Sequence, residues 1–271
     1  MKTLKDTQNL KDIRGIDIQK VGINHLELPL TIQRKNESNQ VVNAKARVSV
    51  SLPKHYKGTH MSRFIEVLST WEHKNLLGVD IKGCLGAIIK KLNAQSGELK
   101  FKFKYFIEKK APVSKLSAPM GYDCSFEGKL STPGGADEDY KFILGVKIPV
   151  TTLCPCSKEI SEFGAHNQRA IVSVKISYNE ANHIWIEDLI KLVEKCGSCE
   201  IYPLLKRVDE KYVTEKAYHN PKFVEDILRD VVLELRQNEI VESFEVECEA
   251  HESIHNHSAW AFQREERKRK S

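Results

Sequence analysis

The strongest constraint on the fold is an order of extended and helical runs that occurs twice along the chain. Ala44, Ala46, Val48, Val50 and Leu52 alternate with polar residues, the period of a strand with one buried face. An extended run from Val21 to Gln33 precedes them. Phe64, Ile65, Leu68 and Trp71 then recur at helical spacing, and Leu85, Ile88, Ile89 and Leu92 repeat the stripe. Extended runs follow at Glu98–Glu108, with Leu99, Phe101, Phe103 and Tyr105 on one face, and at Lys115–Leu130. The second half has the same order. Tyr140–Thr152 and Ala170–Tyr178 read as strands, Ile186–Lys195 and Pro221–Arg236 as helices, and Ile240–Glu249 and Ser258–Gln263 as strands. Pro221 suits the first turn of its helix, where a missing N–H is harmless.

Each half thus reads strand, strand, helix, helix, strand, strand, a repeat of pattern and not of residues. Neighbouring strands joined by short turns favour antiparallel sheets with the helix pairs on one face, an α+β fold. Residues 1–20 read as a flexible arm and 264–271 as a basic tail. Residues 21–263 are expected to form a single domain of two tandem units, about 21–133 and 138–263, joined near Gly134, Gly135 and Asp137. A long open sheet leaves edges that oligomerisation hides.

A chain of 271 residues can bury a real core. Its net charge of +5 is too mild to argue for nucleic acid, yet it suits an anionic small substrate wherever cations cluster. Met1–Asp12 has no apolar stretch of the signal-peptide kind, and no run approaches the roughly 18 apolar residues of a membrane span. Seven cysteines, two pairs of them close together, fit a reducing compartment, so a cytoplasmic protein is expected. Neither G-x-x-x-x-G-K-[ST] nor G-x-G-x-x-G occurs, which disfavours P-loop and dinucleotide folds. His251-Glu252 and His255 have the H-E-x-x-H spacing, but they end an alternating strand and do not lie on a helical stripe.

The chemistry gathers in a few segments. In Cys154-Pro155-Cys156 the proline argues for a strand end or loop that exposes a thiol, against the plainer reading of two small buried hydrophobes. Twelve residues on, His166 follows a Gly-Ala turn and precedes Asn167-Gln168-Arg169. Alone it would read as a surface histidine, whereas a hairpin-like connection would bring it within ligand distance of Cys154. Cys196-Gly197-Ser198-Cys199 ends a helix on Gly197, a favoured C-cap residue, and Glu200 follows. The two cysteine pairs could form a structural four-cysteine zinc site, although they lie further apart than the roughly 15–20 residues usual for one. Leu204 and Leu205 run into Lys206 and Arg207, then into alternating charges through Lys216, either a solvated face or a grip on phosphates. His251, His255 and His257 lie within seven residues, a density that points to metal or proton transfer and away from a solvated turn.

Together these strings resemble the type IB GTP cyclohydrolases. They are Asp17-Ile18-Gln19 through Gly22-Ile23, Lys57-Gly58-Thr59-His60-Met61-Ser62-Arg63-Phe64, Cys154 through Lys158, Gly164 through Arg169, Leu204 through Lys211, and Glu252-Ser253-Ile254-His255. The resemblance implies a tunnelling fold (T-fold), a homotetramer with active sites at subunit interfaces, and a reaction that converts GTP and water to 7,8-dihydroneopterin triphosphate and formate. It implies that Cys154, His166 and Glu200 hold one divalent metal, Zn, Fe(II) or Mn, with a position left for water. Cys156, His255 and His257 become the proton-transfer candidates, and Glu215 the partner of the guanine N1–H and 2-amino edge. His60, Arg63, Lys206 and Arg207 become the phosphate candidates. Two rivals are a metal-free, NADPH-dependent deazaguanine nitrile reductase of the same fold and a non-catalytic zinc module built on Cys154, Cys156, Cys196 and Cys199.

Overall fold

A computed structural model describes residues 7–8, 10–71, 74–76, 78–132 and 138–267. The expected joint at Gly134, Gly135 and Asp137 lies outside the described residues, as do residues 268–271 of the expected tail. The chain divides into two compact units, Met1–Phe103 with Ser125–Leu144, and Lys104–Cys124 with Gly145–Ser271. Strands β4 (Ser96–Lys110), β5 (Ser117–Ser131) and β6 (Asp139–Leu153) contribute residues to both.

The first unit also holds β1 (Ile18–Ile32), β2 (Gln40–Leu52), α1 (Met61–Ser69), the two-residue β3 (Asn75–Leu76) and α2 (Gly78–Leu92). Its strand order is β6-β5-β4-β2-β1-β3. β2 pairs antiparallel with β1 and β4, while β3 joins β1 in parallel. The alternation in β2 sends Ala44, Ala46, Val48 and Val50 into the core with Leu99, Phe101 and Phe103 of β4. Phe64 and Leu68 of α1 and Ile81, Leu85 and Ile88 of α2 are buried on the helical stripes, whereas Ile65 is exposed and Trp71 lies beyond the end of α1. Side chains of that size, fully buried, contribute about 1.5–3 kcal/mol each. At Gly128 of β5 an added Cβ would lie 2.5 Å from Ile81, so glycine lets α2 settle onto the strand.

The second unit adds α3 (Pro155–Ile160), β7 (Asn167–Tyr178), α4 (Ile186–Cys196), β8 (Cys199–Glu200), α5 (Arg207–His219), α6 (Val224–Gln237), β9 (Val241–His251) and β10 (Ser258–Glu266). Its strands run β10-β9-β7-β6-β5-β4, with β8 beside β6. Val172, Val174 and Ile176 of β7 and Phe244, Val246 and Cys248 of β9 are buried, as are Leu189 and Val193 of α4 and Ile227, Val231 and Leu235 of α6. Charged residues at alternate positions pair across strands, as in Lys104 with Asp123 at 2.6 Å and Lys175 with Glu245 at 2.8 Å. This is the expected α+β architecture, with the helices on one face of the sheet.

Several local readings change. β1 begins at Ile18, inside the segment expected as an arm, and β10 runs through Glu266, into the expected tail. α6 begins at Val224 with Phe223 as N-cap, so Pro221 precedes the helix and does not sit in its first turn. The charged segment after Lys206 is the helix α5, and Asp209 in its first turn is buried. The Asp209 carboxylate accepts the Val113 and Ser114 N–H groups at 2.8 and 2.9 Å and the Ser114 hydroxyl at 2.6 Å, which ties α5 to the β4–β5 turn. Burial alone would raise its pKa. The hydrogen bonds from Ser114, Lys206 and Val113 outweigh that and hold the carboxyl below the usual carboxylate range.

Candidate active site

The site is built where β6 ends. Cys154 is the N-cap of α3, with φ −65° and ψ 117°, and Pro155 takes the first helical position. Proline stops a strand because it lacks a donor, and it starts a helix because that donor would be idle there. The Cys-Pro-Cys segment, expected as strand end or loop, is therefore a strand end followed at once by a helix. The Cys154 Sγ accepts the Ser157 N–H at 3.4 Å. The Ser157 hydroxyl donates to the Cys154 carbonyl at 3.1 Å and accepts the His166 N–H at 3.2 Å. The Cys154 N–H donates in turn to the His166 carbonyl at 3.1 Å. Gly164, at φ +73°, occupies the left-handed region that favours glycine on the return path. Cys154 and His166 are thus fastened together through Ser157, both half-buried. Cys156, on the first turn of α3, is exposed.

The histidine-rich hairpin reaches the same place. His166 Nδ1 lies 2.9 Å from Gln168 Oε1, and Gln168 Nε2 donates to Glu252 Oε1 at 3.2 Å. Glu252 opens the β9–β10 turn that carries His255 and His257, whose exposed rings stack with centroids 5.0 Å apart.

Glu200 is placed differently. It lies on β8 opposite Val150, its Oε2 accepts the Tyr202 hydroxyl, and its Oε1 is 4.0 Å from Lys216 Nζ. Burial, reinforced by the Glu200 carboxylate, pushes the Tyr202 phenol up. Lys109 stands 4.8 Å from the Tyr202 ring centroid and pairs with the buried Glu194, which also accepts the Tyr122 hydroxyl at 2.7 Å. Among the described residues no three His, Cys, Asp or Glu side chains are gathered as a metal-holding group. The structure brings Cys154 and His166 together and does not gather Glu200 with them.

The four-cysteine alternative is not formed. Cys196 and Cys199 are buried, the first donating to the Leu192 carbonyl at 3.4 Å and the second packed with Leu153 and Ala217. Burial pushes the Cys196 thiol up to about 11 and raises that of Cys199. Gly197 is a C-cap with ordinary φ −73°, so left-handed freedom does not explain it. An added Cβ would lie 2.7 Å from Val150 Cβ, and close approach to β6 does explain it.

The other candidates are spread. Lys206 and Arg207 are exposed at the start of α5, where helix N–H groups favour anions. Glu215 is exposed on α5 and lies 3.8 Å from Lys211. It is two residues from Val213 and from Ala217, which pack inward, and so it points from the other side of the helix. His60, the N-cap of α1, and Arg63 belong to the first unit. Sequence reasoning missed Ser157, Gln168, Tyr202 and Glu252 as supporting groups. Only Ser157 carried a local signal, three residues after the cap it completes.

A family described as Type I GTP cyclohydrolase folE2 matches residues 4–261. The chain is 50% identical to the GTP cyclohydrolase FolE2 of Geotalea uraniireducens over 258 residues, covering 95% of this chain and 92% of that protein. It is 45% identical to the protein of the same name from Thermosipho africanus, covering 95% and 96%. Among solved structures, a uricase from Bacillus fastidious superposes with TM-score 0.54 at 9% identity, covering 92% of this chain and 94% of that one. The Arthrobacter globiformis uricase gives TM-score 0.52 at 7% identity, covering 93% and 95%. At such identities the likeness concerns the fold alone.

Proposed function

The chain belongs to the type I GTP cyclohydrolase FolE2 family, and from that premise we propose that it converts GTP and water to 7,8-dihydroneopterin triphosphate and formate, a first step toward pterins of the folate kind. The observation that carries the reading is the frame in which Ser157 fastens Cys154 to His166 while Gln168 ties His166 to the histidine hairpin. A thiol and an imidazole so held fit a divalent ion of the Zn, Fe(II) or Mn kind. The reading takes Glu200 as the third ligand. Such an ion, when bound, supplies Lewis acidity that lets neighbouring water ionise near neutral pH.

The chain's own groups do the rest. Ring opening at C8, loss of formate and ring closure each move protons, and Cys156, His255 and His257 are exposed groups able to exchange them. The Glu215 carboxylate matches the two donors of the guanine N1–H and 2-amino edge, a match adenine lacks. Lys206 and Arg207, with His60 and Arg63, supply cations and donors for the triphosphate. Glu215 faces away from the α5 packing side, which suits a homotetramer in which a site is completed by a second copy. Ile160 and Phe163, 83% and 89% exposed between Cys154 and His166, are apolar groups such a copy would cover. The reading treats residues 21–263 as one catalytic domain of two T-fold repeats and places the protein in the cytoplasm. No helix among the described residues is long and apolar enough to cross a membrane.

The test is formate release from GTP, with a fluorescent pterin after oxidation, by protein loaded separately with Mn, Fe(II) and Zn under reducing conditions. No formate with any of the three removes the reading.

A further inference from the structure

Gln168 joins two groups of different kinds, and its own chemistry fixes their order. Continuing the register that pairs Ala170 of β7 with Ala250 of β9 by two residues on each strand sets Gln168 opposite Glu252. An ionised carboxylate only accepts hydrogen bonds, so the amide edge that faces it has to be the NH2. The Gln168 Nε2 indeed lies 3.2 Å from Glu252 Oε1. The amide oxygen is then turned to His166 Nδ1, at 2.9 Å. An oxygen acceptor in that position requires the proton on Nδ1, and a neutral imidazole protonated there keeps its lone pair on Nε2. The opposite amide orientation would set oxygen against carboxylate. Strand register therefore determines the amide orientation, and the amide orientation determines the tautomer.

We propose that Gln168, oriented by Glu252, is a positioning residue that locks His166 in the Nδ1–H tautomer and presents its Nε2 as a donor to a divalent cation. This rests on the reading that Cys154 and His166 hold the metal. Outer-shell partners of this kind are worth about 10–100-fold in metal affinity.

The experiment uses full-length protein with 15N-labelled histidine, stripped of metal and held at a pH where the imidazole is neutral. Long-range 1H–15N spectra distinguish the two tautomers, and loss of a signal in His166→Asn assigns the residue. The expected wild-type result is a predominant Nδ1–H form. Gln168→Leu, similar in size and unable to hydrogen bond, is expected to give a tautomer mixture. Its Zn2+ affinity, measured by competition with a chelating dye, is expected to fall about 10–100-fold. Glu252→Gln, which can both donate and accept, is expected to lie between the two. The proposal is overturned if wild-type His166 carries its proton on Nε2, or if folded Gln168→Leu keeps both tautomer and affinity. Should Gln168→Leu fail to fold, the wild-type tautomer and the Glu252→Gln shift still decide. Formate release by the loaded wild type beside an unchanged tautomer in Gln168→Leu would sink this proposal and leave the reaction standing. Shifted tautomer and affinity in a protein that never releases formate would do the reverse.

Discussion

The segments Leu153–Lys158 and Cys196–Glu200 carry two cysteines each in one compact unit, and their surroundings give them opposite characters. At the first, Pro155 turns a strand into a helix, so Cys154 caps that helix and Cys156 stands in solvent. At the second, Gly197 lets the chain press against Val150, and Cys196 and Cys199 are sealed into the core. Residue type and short spacing are nearly the same. Backbone direction decides which pair is left toward solvent and which fills space.

Cysteine substitutions test that contrast most forcefully. Cys154→Ala is expected to abolish metal binding and turnover together, a loss beyond the roughly 100-fold that outer-shell partners alone can cause. Cys156→Ala and His255→Ala are expected to keep the metal and lose turnover, by about 100-fold or more if each transfers a proton. Cys196→Ala and Cys199→Ala should retain both per folded molecule, measured as bound metal and formate released. If Cys199→Ala lost metal as completely as Cys154→Ala, the two pairs would not differ as the structure has them.

How much of this was legible depends on the range of the interactions. The alternation Ala44–Leu52 and the stripe Ile227, Val231 and Leu235 are local patterns, and the structure buries them as they point, whereas Phe223, in step with that stripe, is the exposed N-cap of α6. The helix α5 was harder to see, because its charges mask a weak stripe and its anchor, Asp209, is explained by Ser114, ninety-five residues away. Gly197 ends α4 as its sequence position indicates, but its close approach to Val150 of β6 carries no local signal. The Cys154–His166 pairing needed only a return loop and was legible. Gln168 and Glu252 are joined by strand register over 84 residues, and nothing in either local sequence announces the pairing.

Titration offers a second, smaller test. Burial raises the Cys196 thiol from 9.0 to about 11 and the thiols of Cys84 and Cys248 to about 12. A folded pKa above the unfolded one contributes stability that is full below the unfolded value and is lost as pH rises through the folded value. Stability is therefore expected to fall above about pH 9, in urea titrations run at stepped pH. At pH 8 an alkylating reagent should label exposed Cys156 first and the buried thiols only on unfolding, read by peptide mass. Cys199→Ser, which puts a hydroxyl among Leu153 and Ala217, should cost about 1–3 kcal/mol. Rapid labelling of Cys196 in the folded protein would contradict its burial.

Two glycines give the finest form of the comparison, because each serves one of the segments for a different reason. Gly197 has φ −73°, which alanine adopts freely, but its new Cβ would meet Val150 at 2.7 Å. Val150 belongs to a central strand and has little room to retreat, so Gly197→Ala should cost about 1–3 kcal/mol through overpacking. Gly164 has φ +73° with nothing within 4 Å of an added Cβ. Its alanine variant meets only backbone strain, about 1 kcal/mol. The functional order should be inverted, because Gly164 shapes the return from α3 to His166 while Gly197 only seats the core pair. Thermal midpoints should drop more for Gly197→Ala, and metal affinity per folded molecule should drop more for Gly164→Ala. Equal effects on both readouts would mean that the two cysteine segments are mechanically one, and that the contrast between them stops at exposure.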